Sequence, residues 1–380
     1  MRRSVRIGII GAGLGGATAA GLLQRAGFNV RVFEQAQAFD RIGAGIHVTA
    51  NVMKVLAHLD ADRSLREVGI HPDSFVSRKW DDGSILFDLP LGPEGEARYG
   101  APYITVHRGD LHAAIASKLK PGTIAFGKRL HSVDRNSSPI RLSFAEGDDA
   151  EVDILIGADG VNSRVREVLL GPDKPRFTRH VAHRAIYSSK LLDDLDVRNC
   201  TKWWGPKSHI LIYYITKSRE EIYLVTSAPQ GEWHESASFV PCSRVEVLAA
   251  FDGFHPEVRE VISRAPELTK WPIFDREPMA KWSNGNITLL GDACHPMRPY
   301  MAQGAAMAIE DAAVLSRCFE AVSSEDAADV FALYEANRMP RTNRVQEVSL
   351  SNTFLREPTD PMWVFGYDAV TAPLRPPARV

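Results

Sequence analysis

The chain opens on a short, mostly β-branched run at residues 5–10, a pattern that predicts a buried strand. An Ala/Leu-rich stretch then runs to about Arg25 and predicts a helix, with Gly27 as its C-terminal stop. A second apolar strand is expected over 30–34. Helical spacing returns after Asn51, at Val52, Val55, Leu56 and Leu59. Residues 75–89 alternate around Asp82-Gly83, a dipeptide suited to a tight hairpin. Strands are expected at 103–107 and 153–158, with a helix at 111–119 between them. From 180 to 228 the pattern changes. Segments 185–188, 210–216 and 221–227 read as strands without intervening helices, which predicts an antiparallel sheet in a second layer or domain. A helix over 244–251, a buried strand over 287–290 and long helices over 303–319 and 327–348 follow. Pro361, Pro373, Pro376 and Pro377 predict an irregular tail.

The chain has 380 residues, enough for two or three domains at roughly 150 residues each. Its net charge of −2 and its 44% hydrophobic content exclude disorder. They also argue against a nucleic-acid partner, which usually brings a basic excess. The cysteines Cys200, Cys242, Cys294 and Cys318 form no C-x-x-C pair. That excludes a disulfide scaffold and a zinc ribbon, and a reduced cytoplasm is the expected home. Arg2, Arg3 and Arg6 before an uncharged run imitate a signal peptide. Gly8, Gly11, Gly13, Gly15 and Gly16 interrupt that run, so neither a leader nor a membrane span is expected. The expected state is a monomer or homodimer.

The glycines carry chemistry. Gly11-Ala12-Gly13-Leu14-Gly15-Gly16 fits G-x-G-x-x-G at Gly11, Gly13 and Gly16, between a strand and a helix. The first glycine permits the tight turn, the second lets backbone approach a pyrophosphate, and the third packs helix on strand. Glu34, followed by Gln35, ends the next strand and can accept from both hydroxyls of an adenosine ribose. A carboxylate there repels a 2′-phosphate, which favours FAD or NAD over NADP. The fingerprint alone leaves those two open.

Two later segments narrow the choice. Gly157-Ala158-Asp159-Gly160-Val161-Asn162-Ser163-Arg164-Val165-Arg166 puts Asp-Gly at a strand end. Gly291-Asp292-Ala293-Cys294-His295-Pro296 does the same, and Gln303-Gly304-Ala305-Ala306 then enters an alanine-rich helix. In this order, with His107-Arg108-Gly109-Asp110-Leu111 between them, the segments resemble the group A FAD-dependent aromatic monooxygenases over residues 4–312. The resemblance implies an α/β fold: a Rossmann-like FAD-binding domain with an inserted antiparallel-sheet substrate domain and C-terminal helices. It places the FAD-binding part at 1–72, 99–177 and 276–345, the substrate part at 73–98 and 178–275, and a tail at 346–380. Bound FAD and transient NADH are implied, with NADPH open, and O2 and an aromatic acid as co-substrates. Oxygen transfer through a flavin C4a-hydroperoxide is implied as well. By the same resemblance Arg108 contacts the flavin nucleotide, Leu130 lies near the adenine, Asp292 holds the ribityl chain and Asp159 serves the pyrophosphate.

Further segments resemble members of this family that act on hydroxylated pyridine carboxylates: Gly43-Ala44-Gly45-Ile46-His47, Val181-Ala182-His183-Arg184, Lys202-Trp203-Trp204 and Asn352-Thr353-Phe354-Leu355. A ring attacked by electrophilic oxygen must be electron-rich, so a base near the ring hydroxyl is expected. His47, read as lying on a loop after the second strand, suits that task. Alternation puts His209, Leu211 and Tyr213 on one strand face. The resemblance makes that face the cavity wall, with Tyr213 paired to His47 and Tyr214 pointing away. Cys200 matches a substrate-pocket position by the same likeness. Tyr300 stands where histidine is expected, and Ala302 where relatives often carry glycine. No metal is expected, on the reading that Cys294 and His295 point apart with no second cluster at ligand spacing. A salicylate-type hydroxylase is the neighbouring alternative. A plain dehydrogenase, which would be colourless, and a flavin redox sensor are the more distant ones.

Overall fold

The β-branched run and the apolar segments that follow it form one sheet, parallel except at one edge strand. The computed structural model describes residues 5–39, 44–235, 237–323 and 326–377. Arg2, Arg3 and Gly43 lie outside them. Strand Arg6–Ile10 lies between Asn29–Phe33 and Ile154–Gly157, parallel to both. Ile287–Leu289 and Ile124–Ala125 extend the sheet on either side, and Ser283–Asn284 closes one edge to make six strands. Helix Leu14–Arg25 covers it and packs against helix Gly304–Ala321. The strands are apolar on both faces because helices cover them; Ile9 and Leu155 are fully buried.

The aromatic segments form an eight-stranded sheet, in spatial order Val240–Cys242, Leu268–Asp275, Arg176–Ser188, Glu221–Pro229, His209–Tyr214, Cys200–Trp204, Ser74–Lys79 and Ile85–Pro90. The hairpin expected around Asp82-Gly83 is present, but its strand Ser74–Lys79 runs parallel to Cys200–Trp204, far away in sequence. The run expected at 185–188 is the end of a 13-residue strand. Alternation splits strand His209–Tyr214 between two cores. Tyr213 joins the large core of the parallel-sheet layer. Ile210, Ile212 and Tyr214 join a second core that also holds Val247, Phe251, Val258 and Ile262, from the segment with helices Arg244–Ala250 and Pro256–Arg264.

The tail differs from expectation. It carries the short helix Met362–Phe365, and Phe354, Leu355, Val364 and Phe365 are buried in the large core. Among the described residues no helix is long and apolar enough to cross a membrane.

Candidate active site

Four predicted residues converge because parallel strands end on one edge. Gly11, Glu34, Asp159 and Asp292 each follow within a few residues of the C-terminal end of a sheet strand, where open α/β sheets bind ligands. Gly11 has φ +97°, and a Cβ there would stand 2.5 Å from the Ala158 carbonyl oxygen. A Cβ on Gly16 would stand 2.1 Å from the Gly11 oxygen, so helix and turn touch backbone to backbone. A Cβ on Gly13 would meet nothing within 4 Å. Gly13 caps helix Leu14–Arg25 without any side-chain hydrogen bond. The first N–H groups of that helix are thus left for an anion.

A cleft beside this turn is lined by Gly11, Gly13, Glu34, Gln35, Leu130 and Asp159, together with Lys128, Arg129 and Arg164. One Glu34 oxygen accepts the Ala12 N–H at 2.7 Å and the other the Ala36 N–H at 2.8 Å, which fixes the carboxylate in place. Asp159 accepts the N–H groups of Arg164 at 2.7 Å and Val165 at 3.2 Å, so it also orders its own loop. Leu14, Gly15 and Gly16 do not line the cleft. A Cβ on Gly15 would stand 2.6 Å from Leu290 Cδ2 and 2.9 Å from Ala308 Cβ, so Gly15 serves helix packing. An uncapped helix start, an open glycine, a fixed carboxylate and three cations fit the adenosine and pyrophosphate of FAD. Further along the edge, Arg108 opens helix Arg108–Ala116 and lies within electrostatic reach of Asp292. Gly304 and Ala305 start helix Gly304–Ala321, which has no side-chain cap either.

A second cavity lies against the eight-stranded sheet. His47, Phe75, Tyr103, Lys202, His209, Leu211, Tyr300, Ala302, Phe354, Leu355 and Phe365 are among its lining residues. His47 sits on strand Gly45–Val48, paired antiparallel to Ile104–His107, rather than on a loop. Its Nδ1 is 2.6 Å from the Tyr103 hydroxyl, and its Nε2 is buried without a partner. Burial, with the nearby Lys202 ammonium adding to it, pushes His47 down to about 3. It is therefore neutral at physiological pH. The Tyr213 ring packs against His47 with centroids 4.2 Å apart. Burial holds Tyr213 well above the usual tyrosine range, so it is a phenol. A Cβ on Gly45 would stand 2.8 Å from the Tyr213 hydroxyl and 2.6 Å from Tyr223 Cδ1; only glycine lets both rings in.

His209 and Tyr300 line the cavity, their rings edge to face at 5.2 Å. The Tyr300 hydroxyl pairs with Ser227 Oγ at 3.1 Å. Cys200 and Tyr213 are not among the lining residues. Cys200 pairs with Tyr213 across the two strands and is buried in the large core. Tyr103 and Phe365 join the cavity unexpected, and Lys202, Phe354 and Leu355, known from the sequence only as parts of family-like segments, prove to line it. The lysine was visible as the middle residue of an inward-facing strand position, between Cys200 and Trp204.

Cys294 and His295 do not stand apart from other possible metal ligands, contrary to expectation. Donor atoms of Cys294, His295 and Asp311 lie within 4.8 Å of one another, all buried, because helix Gly304–Ala321 returns Asp311 to the strand end. Those Asp311 oxygens are already engaged. One accepts Arg338 Nε at 2.6 Å; the other is 2.5 Å from His295 Nε2 and accepts the Gly291 N–H at 3.1 Å. The cation at this cluster is the protein's own guanidinium.

A match to the family described as FAD binding domain spans residues 4–349. The chain belongs to that family. It is 50% identical to the 6-hydroxynicotinate 3-monooxygenase of Bordetella bronchiseptica over 98% of each chain. It is 47% identical to that of Pseudomonas fluorescens, over 99% of this chain and 98% of the relative. A solved salicylate hydroxylase substrate complex superposes with a TM-score of 0.81 at 24% identity, over 97% of each chain. Klebsiella pneumoniae HpxO, complexed with FAD and uric acid, gives 0.80 at 24%, over 94% of this chain and 90% of that one. These two show the fold, with its Rossmann-type FAD-binding domain. The homologues are flavin-dependent monooxygenases, and of the two dinucleotides the glycine fingerprint left open the cofactor is FAD.

Proposed function

We propose that this protein is an FAD-dependent monooxygenase that converts 6-hydroxynicotinate to 2,5-dihydroxypyridine and carbon dioxide, consuming O2 and NADH. The observation that carries the reading is the neutral His47, with its buried, partnerless Nε2, in an aromatic-lined cavity whose one lysine or arginine among the described residues is Lys202. The two relatives at 50% and 47% identity support the substrate. In the tautomer whose Nδ1–H donates to Tyr103, Nε2 presents its lone pair and takes the proton of the ring hydroxyl. The oxyanion so formed stands para to the carbon that bears the carboxylate and makes it electron-rich. Tyr213 holds the His47 ring by packing against it. Bound FAD supplies the activation of O2, with electrons from NADH. Gly11, Gly13, Glu34, Gln35, Leu130 and Asp159 would hold its nucleotide, and Arg108, Asp292, Gly304 and Ala305 the remainder. Phe75, Phe354 and Phe365 keep water from the ring. One oxygen atom joins the ring carbon, carbon dioxide leaves, and the other oxygen leaves as water.

The sheet division supports two parts: 1–72, 99–177 and 276–345 for the cofactor, 73–98 and 178–275 for the substrate. The segment 346–380 supplies part of the cavity wall. The test is substrate-stimulated NADH oxidation with product identification, comparing 6-hydroxynicotinate and salicylate. Coupled turnover of the pyridine acid is expected. Turnover of salicylate alone overturns the substrate assignment.

A further inference from the structure

Lys202 is the feature of the cavity that the reaction above does not use. It occupies the middle of strand Cys200–Trp204, opposite Leu211 in the register. Alternation therefore turns it to the same face as Cys200 and Trp204, toward the cavity, while Trp203 enters the second core. The residue is only 4% exposed. Its Nζ donates to the Tyr300 carbonyl at 3.3 Å and stands 3.7 Å from the centroid of the Trp204 ring. No carboxylate among the described residues pairs with it, and no Asp or Glu lines the cavity. An ammonium withdrawn from water without a counter-ion is costly, and proteins keep such a group where a ligand completes it. Burial lowers it to about 7, and its charge in turn depresses both His47 and His209, which line the same cavity.

We propose that Lys202 is the substrate's anion site: its ammonium receives the aromatic carboxylate and so orients the ring with its hydroxyl toward His47. This rests on the reading of the cavity as the site of a hydroxylated aromatic acid. The carboxylate, and not the ring oxyanion, is assigned to Lys202 because His47 Nε2 already answers the ring hydroxyl. The Tyr300 backbone carbonyl accepts from the ammonium, while its hydroxyl pairs with Ser227.

The test is ligand binding to FAD-loaded protein, read from the perturbation of the flavin spectrum. Lys202→Met should weaken 6-hydroxynicotinate on the order of 100-fold. The same variant should change 2-hydroxypyridine, the ring without its carboxylate, by less than about threefold. Lys202→Arg should recover part of the loss. Equal weakening of both ligands, or of neither, overturns the proposal. A second measurement uses the unaltered protein, so a variant that loses FAD does not end the matter. The acid should bind far more tightly than its neutral amide, 6-hydroxynicotinamide, and equal affinities overturn the proposal. If 6-hydroxynicotinate does not perturb the spectrum at all, the substrate reading has failed instead. The pair salicylate and phenol then puts the same question to Lys202, and no preference for the acid overturns it.

Discussion

Arg338→Met should destabilise the protein strongly, and more at pH 8 than at pH 5.5. Arg338 is fully buried in helix Ala327–Ser351. It donates to Asp311 at 2.6 Å and to Glu310 at 2.8 Å, both carboxylates being fully buried. Glu310 also accepts Arg341 and the Asn51 amide, and Asn51 donates to Gln303 at 3.1 Å. The network thus joins the chain just after His47 to the start of helix Gly304–Ala321. Removing the guanidinium leaves two buried carboxylates short of a partner, a loss worth about 3–5 kcal/mol. At about 2.1 cal/mol/K per residue, unfolding entropy for 380 residues is about 0.8 kcal/mol/K, so Tm should fall about 4–6 K.

The pH dependence follows from the same contacts. In the native chain burial raises both carboxylates, but the surrounding cations overcome it and hold both below the usual range. That stability is present above the unfolded value near 4 and is lost only as pH falls through the lower folded values, so nothing changes between pH 8 and 5.5. Without Arg338 burial pushes the carboxylates upward. A group whose folded value is raised contributes stability at low pH and loses it as pH rises. The Tm deficit relative to the native chain should therefore shrink toward pH 5.5. Thermal unfolding followed by circular dichroism at the two pH values is the assay. A deficit under 1 K, or one equal at both, refutes the account of the network.

His47→Gln should lower turnover by about 100-fold or more with FAD retained at 450 nm, and Tyr213→Ala, which removes the ring packed on His47, should lower it too, whereas Tyr214→Phe, which faces the second core, should change it less than about threefold; native turnover in the first two refutes their role. Ala302 has φ +55°, a left-handed conformation that costs a non-glycine residue about 1 kcal/mol or more, so Ala302→Gly should leave Tm equal or raise it by about 1 K despite glycine's larger unfolded-state entropy. A fall in Tm would contradict this. His47 and His183 are held down to about 3 and about 4, and His209 well below its ordinary value, chiefly by burial. Their contribution is complete above the unfolded value of 6.5 and is lost as pH falls below it, by up to about 2 kcal/mol per histidine at pH 5. The urea midpoint should drop between pH 7.5 and 5, and a flat profile refutes it.

The cofactor half was legible because its signals are local. Strand Arg6–Ile10, the glycine turn, helix Leu14–Arg25 and Glu34 lie within residues 6–34, where spacing and backbone sterics leave few alternatives. The period of two also assigned Tyr213 and Tyr214 to opposite faces. The substrate half was not legible in the same way. The parallel pairing of Ser74–Lys79 with Cys200–Trp204 joins segments more than a hundred residues apart, and no local pattern specifies a partner. The tail was read from its prolines as irregular, yet Phe354, Leu355 and Phe365 close the cavity, because apolar side chains bury wherever packing finds them. Cys294 and His295 were read as isolated until helix packing returned Asp311 to them. The sequence alone determined the nucleotide-binding turn, the class of cofactor and the faces of the strands. Only the tertiary structure decided that His47 meets Tyr103, that Lys202 is buried without a counter-ion, and that an arginine 27 residues beyond Asp311 neutralises it, since desolvation and pairing depend on what the rest of the chain brings alongside.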